Sequence, residues 1–407
     1  MENRRPRIAY LAPNALQDRT SGAAISLLTM LRALSGVDWQ THSLSAAVFD
    51  RPPPARSLAE VVAGWGLPLR GNLKGTRAPV WRGTVEGVDH MVVHLGKTQR
   101  MQMSPLEEAL FLQLARRWLA QVKPDVVLTM GGLVLDAALQ REARRQGAAV
   151  VFYLANGSYN NRETFAEIDQ VITNSGVTAQ MYAQRLGIEA RNVGVYVDTS
   201  RFIAVRSEPR YITFINPVAE KGVTLFLRLV AMARTRAPDL RFLVVESRGT
   251  LAAAIERLKL DPALTEHVTV VPRSDDMREV YAQTRALLCP SFWFEAAGRV
   301  LVEAIANGIP VVATNRGGIP ETLAGGGTLL PVPTACMRDH WHMPTEEEAQ
   351  HWWDALNALH CDSQHYEAMS AQAREAARHH DLSVKARALD RLLRQTIERR
   401  RAIRQAA

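Results

Sequence analysis

The sequence predicts an α/β protein made of two parallel-sheet domains in series, and two observations lead there. Short apolar runs alternate with longer amphipathic stretches along most of the chain, the pattern of strands buried beneath helices on both sheet faces. The chain also has 407 residues, too many for one ordinary core, so two domains of roughly 200 residues each are expected.

Hydrophobic periodicity places the elements. In the first half, strands are expected at Arg7–Pro13, Thr41–Ala47, His90–Leu95, Asp125–Met130, Ala148–Leu154, Gln170–Thr173 and Asn192–Val197. Helices fall between them at Ser21–Leu34, Leu106–Gln121, Leu133–Gln146 and Thr178–Leu186. Residues 50–80, rich in Pro, Gly and Arg, read as loops around one short helix, Leu58–Trp65. The polar stretch Asp198–Arg210, with Pro209, reads as a linker. The second half restarts the alternation, with strands at Tyr211–Ile215, Arg241–Glu246, Val268–Val271, Ala286–Pro290 and Ile309–Ala313. Its helices are Gly222–Arg236, Leu251–Leu258, Met277–Gln283 and Gly298–Asn307. From Thr345 onward all is helix; three glutamates after Thr345 favour a helix start. The last helix, Val384–Arg404, gathers Leu389, Leu392, Leu393 and Ile397 on one face and arginines over the rest. The expected domains are therefore 1–203 and 210–380, with a helix at 381–407 packing back on the first domain.

Composition narrows the class. Apolar residues make up 47% and charged residues 22%, an ordinary globular balance. Lys+Arg number 49 against Asp+Glu 41, a net charge of +8, which favours phosphorylated ligands, nucleic acid or an anionic membrane surface without choosing among them. Cys289, Cys336 and Cys361 lack paired or metal-ligand spacing and read as reduced thiols. The N-terminal apolar run is short and ends at Pro13, so it reads as a strand rather than a secretion signal. No run approaches the length of a membrane span. These features predict a cytoplasmic protein.

The most informative segment is Cys289–Glu321, CPSFWFEAAGRVLVEAIANGIPVVATNRGGIPE. A strand ends at Pro290, a loop carries Glu295, and Gly298 opens a helix. Amides at Gly298, Arg299 and Val300 at a helix start make an anion site. Glu303 lies about one and a half turns further on. Two carboxylates beside an anion site suit a ligand that also presents hydroxyls. Gly317-Gly318 after the next strand adds a second close-approach loop.

This segment resembles the donor-site signature of family 4 glycosyltransferases, retaining enzymes of the GT-B fold. Glu295 and Glu303 are separated by seven intervening residues, with Gly298 three after the first, followed by Gly308-Ile309-Pro310-Val311-Val312-Ala313 and Gly317-Gly318-Ile319-Pro320-Glu321. Ser21-Gly22-Ala23-Ala24 resembles the family's N-terminal Gly-rich loop, and Glu220-Lys221-Gly222 its K-G motif. The sequence departs from the family at three places: Asn216-Pro217 replaces Gly-Arg, Ala155-Asn156-Gly157 lacks the usual His, and Ala297 stands where an aromatic is common.

The resemblance implies two Rossmann-like domains facing across a cleft, with a helical C-terminal extension. It implies transfer of a hexosyl group from a UDP-, GDP- or ADP-sugar to an acceptor hydroxyl of a glycan, lipid-linked or small-molecule acceptor, with retention. Lys221 and the amides at Gly298, Arg299 and Val300 would hold the diphosphate, Glu295 the sugar and Glu303 the ribose. Gly22 and Asn156 would contact the donor from the first domain. No metal or other cofactor is expected. A sugar-nucleotide epimerase or a catalytically silent sugar-nucleotide binder is the alternative. For the Arg-rich last helix, packing on the first domain ranks ahead of contact with an anionic membrane surface; nucleic acid has no supporting motif.

Overall fold

The computed structural model describes residues 4–51, 57–205, 209–274 and 276–406. Part of the Pro-rich stretch, 52–56, and part of the expected linker, 206–208, lie outside the described residues. The chain divides into two compact units, Met1–Tyr196 with Leu382–Ala407, and Val197–Asp381.

The first unit is built on β1 (Arg7–Leu11), β2 (Gln40–Ala46), β3 (Leu69–Asn72), β4 (Pro79–Val85), β5 (Val88–Val93), β6 (Val126–Thr129), β7 (Ala149–Leu154), β8 (Gln170–Thr173) and β9 (Ala190–Asn192). Its helices are α1 (Gly22–Ser35), α2 (Leu58–Ala63), α3 (Pro105–Val122), α4 (Val134–Arg145) and α5 (Gly176–Leu186). The sheet order is β3-β4-β5-β2-β1-β6-β7-β8-β9. From β5 to β9 every pairing is parallel. Central strands such as β7 are buried on both faces, and an apolar core lies on each side of the sheet. Helix starts follow local chemistry: Ser104 and Glu107 form a capping box that spans Pro105, the first residue of α3.

Two expectations change here. Residues 69–72, within the stretch 50–80 read as loops, and 79–85, which begin at its end, form an antiparallel ribbon on β5. Pro79 occupies the first position of β4, where a missing N–H is tolerated. The strand expected over Asn192–Val197 is instead the short β9. The apolar residues Val195, Tyr196 and Val197 are buried without sheet pairing, and the Lys385 ammonium donates to the Val195 carbonyl at 2.8 Å.

His90, on β5, is buried, and its Nδ1 lies 2.7 Å from Ser43 Oγ and 2.9 Å from Gln17 Nε2. Burial, with Arg32 adding to it, pushes its pKa down to about 4. The folded state thus holds neutral imidazole, whereas the unfolded chain takes a proton near pH 6.5. Stability is full above that value and is lost as pH falls from about 6.5 toward 4. We expect this single group to remove up to roughly 3 kcal/mol over that window. Chemical denaturation of wild type and His90→Gln across it checks this; parallel pH slopes for the two would refute it.

The second unit is a six-stranded parallel sheet of β10 (Tyr211–Ile215), β11 (Arg241–Val245), β12 (Val268–Val271), β13 (Thr284–Cys289), β14 (Val311–Thr314) and β15 (Gly327–Leu330), in the order β12-β11-β10-β13-β14-β15. Its helices are α6 (Val223–Arg236), α7 (Leu251–Leu258), α8 (Arg278–Gln283), α9 (Arg299–Ala306), α10 (Ile319–Leu323), α11 (Thr334–Arg338), α12 (Glu346–Cys361) and α13 (Ser363–Ala377). Succession runs outward from β10 on one side and from β13 on the other. The chain therefore reverses direction between these two strands, and ligand crevices form at such a switch point. Trp352 and Trp353 on α12 are buried in the core with α6, and Trp352 Nε1 donates to the Pro331 carbonyl at 3.1 Å.

Part of the expected linker is fastened to this unit. Asn307 Nδ2 donates to the Phe202 carbonyl at 2.9 Å, and the Ala204 amide donates to Asn307 Oδ1 at 2.8 Å. The last helix, α14 (Leu382–Ala406), belongs to the first unit. Leu389, Leu393 and Ile397 join its core. Trp39 Nε1 donates to Asp390 at 2.7 Å and Arg399 to Gln170 at 3.0 Å. No helix among the described residues is long and apolar enough to cross a membrane.

Candidate active site

Three loops meet at the strand-end edge of the second unit. The β10–α6 loop carries Lys221, the β13–α9 loop carries Glu295, and the β14–α10 loop carries Gly317 and Gly318. Backbone bonds join them: the amides of Phe292 and Trp293 donate to the Glu220 carbonyl at 2.9 and 3.0 Å, and the Gly318 amide donates to the Glu295 carbonyl at 2.7 Å. The glycines are what allow this closeness. Gly222 (φ +84°) and Gly317 (φ +57°) are left-handed, and a Cβ on either would overlap a carbonyl, of Pro290 and Glu295 respectively.

Lys221 and Glu295, separated by 74 positions in sequence, form an ion pair across the switch point between β10 and β13. Ser291 Oγ also donates to Glu295 Oε1 at 2.9 Å. The Glu295 side chain is 12% exposed and Lys221 33%, so both are held yet reachable. Cys289, the last residue of β13, is half-buried, and its thiol pKa is pushed up to about 12 by desolvation and, secondarily, by Glu295; it stays a neutral thiol.

Gly298 (φ +82°) is the N-cap of α9, and no side chain caps that helix. The first-turn amides, with Arg299 and Val300, therefore keep the character of an anion site. Glu303 faces inward: it is buried, accepts from the Tyr281 hydroxyl at 2.7 Å, and lies 3.8 Å from Arg299. Burial raises its pKa, opposed by Arg299 and the Tyr281 bond.

Tyr281 and Ser291 were not singled out in the sequence. Tyr281 lies on a short helix well before the motif, and nothing in its spacing points to Glu303. Replacing it by Phe should cost about 1.5–3 kcal/mol, because a buried carboxylate loses its hydrogen-bond donor. A raised carboxylate pKa means stability falls as pH rises through the folded-state value. The Tyr281→Phe deficit should thus be largest at neutral pH and shrink in acid, where Glu303 is protonated. Urea unfolding at both pH values measures it, and a pH-independent deficit would argue against this account.

The departure at Asn216-Pro217 has a structural explanation on one side. Asn216 adopts φ +69°, a conformation that glycine takes freely and asparagine tolerates. Its Oδ1 also accepts from the Arg248 amide at 2.8 Å. Arg248 therefore sits on the loop against Asn216, whereas Arg299 sits beside Glu303.

Gly22 and Asn156 belong to the first unit. Gly22 begins α1 after β1, and Ser21 Oγ accepts from the Ala24 amide. Asn156 follows β7; its Oδ1 accepts from the Ser158 amide at 3.0 Å and its carbonyl from the Tyr182 hydroxyl at 3.1 Å.

Comparison with solved structures shows the same fold throughout. A glycosyltransferase from Rickettsia africae is 14% identical, with a TM-score of 0.69 over 97% of this chain and 99% of that one. Anabaena HepE, in complex with UDP and glucose, is 16% identical, with a TM-score of 0.66 over 95% and 98%. The catalytic domain of starch synthase IV from Arabidopsis thaliana, bound to ADP and acarbose, is 14% identical, with a TM-score of 0.70 over 97% and 100%. The fold is GT-B: two Rossmann-like units and a C-terminal helix.

Residues 198–376 match the family described as Glycosyl transferases group 1. D-inositol 3-phosphate glycosyltransferase of Paenarthrobacter aurescens is 25% identical over 379 residues, 86% of this chain and 86% of that protein. A GDP-mannose-dependent phosphatidylinositol monomannoside mannosyltransferase of Mycolicibacterium smegmatis is 29% identical over 185 residues, 40% of this chain and 48% of that protein.

Proposed function

We propose that this protein is a retaining family 4 enzyme that moves a hexosyl group from a nucleoside-diphosphate sugar to an acceptor hydroxyl. The observation that carries the reading is the Lys221–Glu295 pair at the switch point. The pair offers a cation for a diphosphate and a carboxylate for sugar hydroxyls side by side, next to the uncapped start of α9. The nucleotides bound in the Anabaena and Arabidopsis structures, UDP and ADP, support a nucleoside-diphosphate donor.

In this reading Lys221 and the amides at Gly298, Arg299 and Val300 stabilise charge developing on the leaving diphosphate, the largest contribution to rate. Glu295 orients the sugar. Glu303 serves the ribose while Tyr281 holds its other oxygen. The leaving phosphate takes the acceptor proton, and Lys221 with backbone dipoles replaces a metal. For the first unit, Gly22 and Asn156 are the substrate-contacting residues. The purified chain, offered UDP-, GDP- and ADP-sugars with and without acceptors, should bind one nucleotide class and transfer or slowly hydrolyse its sugar. Product formation without an acceptor and with no free nucleotide released would instead indicate an epimerase.

A further inference from the structure

A pocket of about 530 Å³ lies at the N-terminal edge of the first unit's sheet, beside the starts of β6 and β7 and against α14. Six cationic side chains line it, Arg4, Lys123, Arg145, Arg400, Arg401 and Arg404, against one carboxylate, Asp125. Gly22 and Asn156 follow β1 and β7 at the opposite strand ends, so this pocket is separate from the loops that carry them.

The internal partners do not balance these charges. Asp125 takes both Arg4, at 3.0 Å, and Arg401, at 3.2 Å. Glu142 takes Arg145 at 2.6 Å, and Asp169 lies 3.8 Å from Arg400. The Nε of Arg400 is buried with no hydrogen-bond acceptor among the described residues. Neither Lys123 nor Arg404 is paired with a carboxylate among the described residues. Arg404 Nη1 lies against Gly147, where a Cβ would overlap it. The carboxyl ends of α3 and α4 supply only about half a negative charge each. Roughly two positive charges are left facing the pocket, and a buried unsatisfied donor is costly.

We propose that this pocket is a second, non-catalytic site for a phosphate-bearing anion, supplied as a free phosphorylated compound or as a phospholipid headgroup. Arginine forks suit phosphate oxygens, and Lys123 and Arg404 supply the unpaired charge. Titration calorimetry of the full chain with inorganic pyrophosphate should find two sites. In Lys123→Gln/Arg404→Gln one of them should weaken on the order of tenfold or more, while UDP binding stays unchanged. Lys221→Ala should affect only the other site, so failure of the donor-site reading and failure of this one are distinguishable. Co-sedimentation with phosphatidylglycerol and phosphatidylcholine vesicles separates the sources: loss of anionic-vesicle binding in the double variant identifies a headgroup, and pyrophosphate binding alone identifies a free phosphate compound. Should the double variant fold poorly by its melting curve, Lys123→Gln alone, at an exposed position, repeats the measurement. Pyrophosphate and vesicle binding both unaltered by these variants would overturn the proposal.

Discussion

Replacing Lys221 by alanine is expected to lower kcat by roughly a hundred- to a thousand-fold, the usual effect of removing one preorganised group from a developing negative charge. Lys221 reaches Glu295 from a different loop, and the two strands behind those loops flank the switch point. In the proposed reaction the diphosphate competes with Glu295 for the ammonium, which frees the carboxylate to bind sugar hydroxyls. Two consequences follow from that exchange. Glu295→Ala should lose turnover to a similar degree, and the double variant should be little worse than either single one, because the residues act as a unit. Nucleotide affinity should separate them: Lys221→Ala weakens UDP, GDP or ADP binding, whereas Glu295→Ala mainly weakens binding of the attached sugar. The pair is partly exposed and contributes no more than about 1 kcal/mol to folding, so melting temperatures should change little. Full activity in both variants, measured with a productive donor–acceptor pair, would sink the assignment.

The alternation of strands and helices was readable because parallel strands buried on both faces are continuous apolar runs. Tyr211–Ile215, Leu251–Leu258 and Val268–Val271 coincide with the residues expected. What escaped has physical causes. β3 is the edge strand and β4 lies next to it, in a two-stranded ribbon where exposed arginines and glycines are permitted and the alternation is weak. The run Asn192–Val197 looks like a strand because it is apolar, but its burial comes from tertiary contacts such as that with Lys385 on α14, nearly two hundred positions away. At the site, the Glu-to-Glu spacing and the glycines were visible. The pairing of Lys221 with Glu295, and of Glu303 with Tyr281, was not, since each depends on which loops the sheet order makes neighbours.

The glycines also acquire a different meaning. From sequence, Gly317 and Gly318 read as a loop open to a close-approaching ligand. In the fold, the atom that approaches Gly317 is the carbonyl of Glu295 itself. Gly317→Ala would place a methyl group in a left-handed residue, at a cost of about 1–2 kcal/mol, and drive it onto a backbone that cannot rotate away. The contact is relieved only by moving residue 295, whose side chain is already tied to Lys221 and Ser291. A displacement near 1 Å at a positioning group lowers rate by about a hundredfold. The variant should therefore keep a folded second unit with a modestly lower melting temperature, retain nucleotide binding through Lys221 and the α9 amides, and lose most of its turnover. Gly318→Ala is the control: its φ of −83° is open to any residue, and its amide bond to the Glu295 carbonyl does not require glycine. Equal activity in the two variants would show that the constraint at Gly317 lies elsewhere, whereas a selective kcat loss at 317 would tie the glycine to the placement of Glu295.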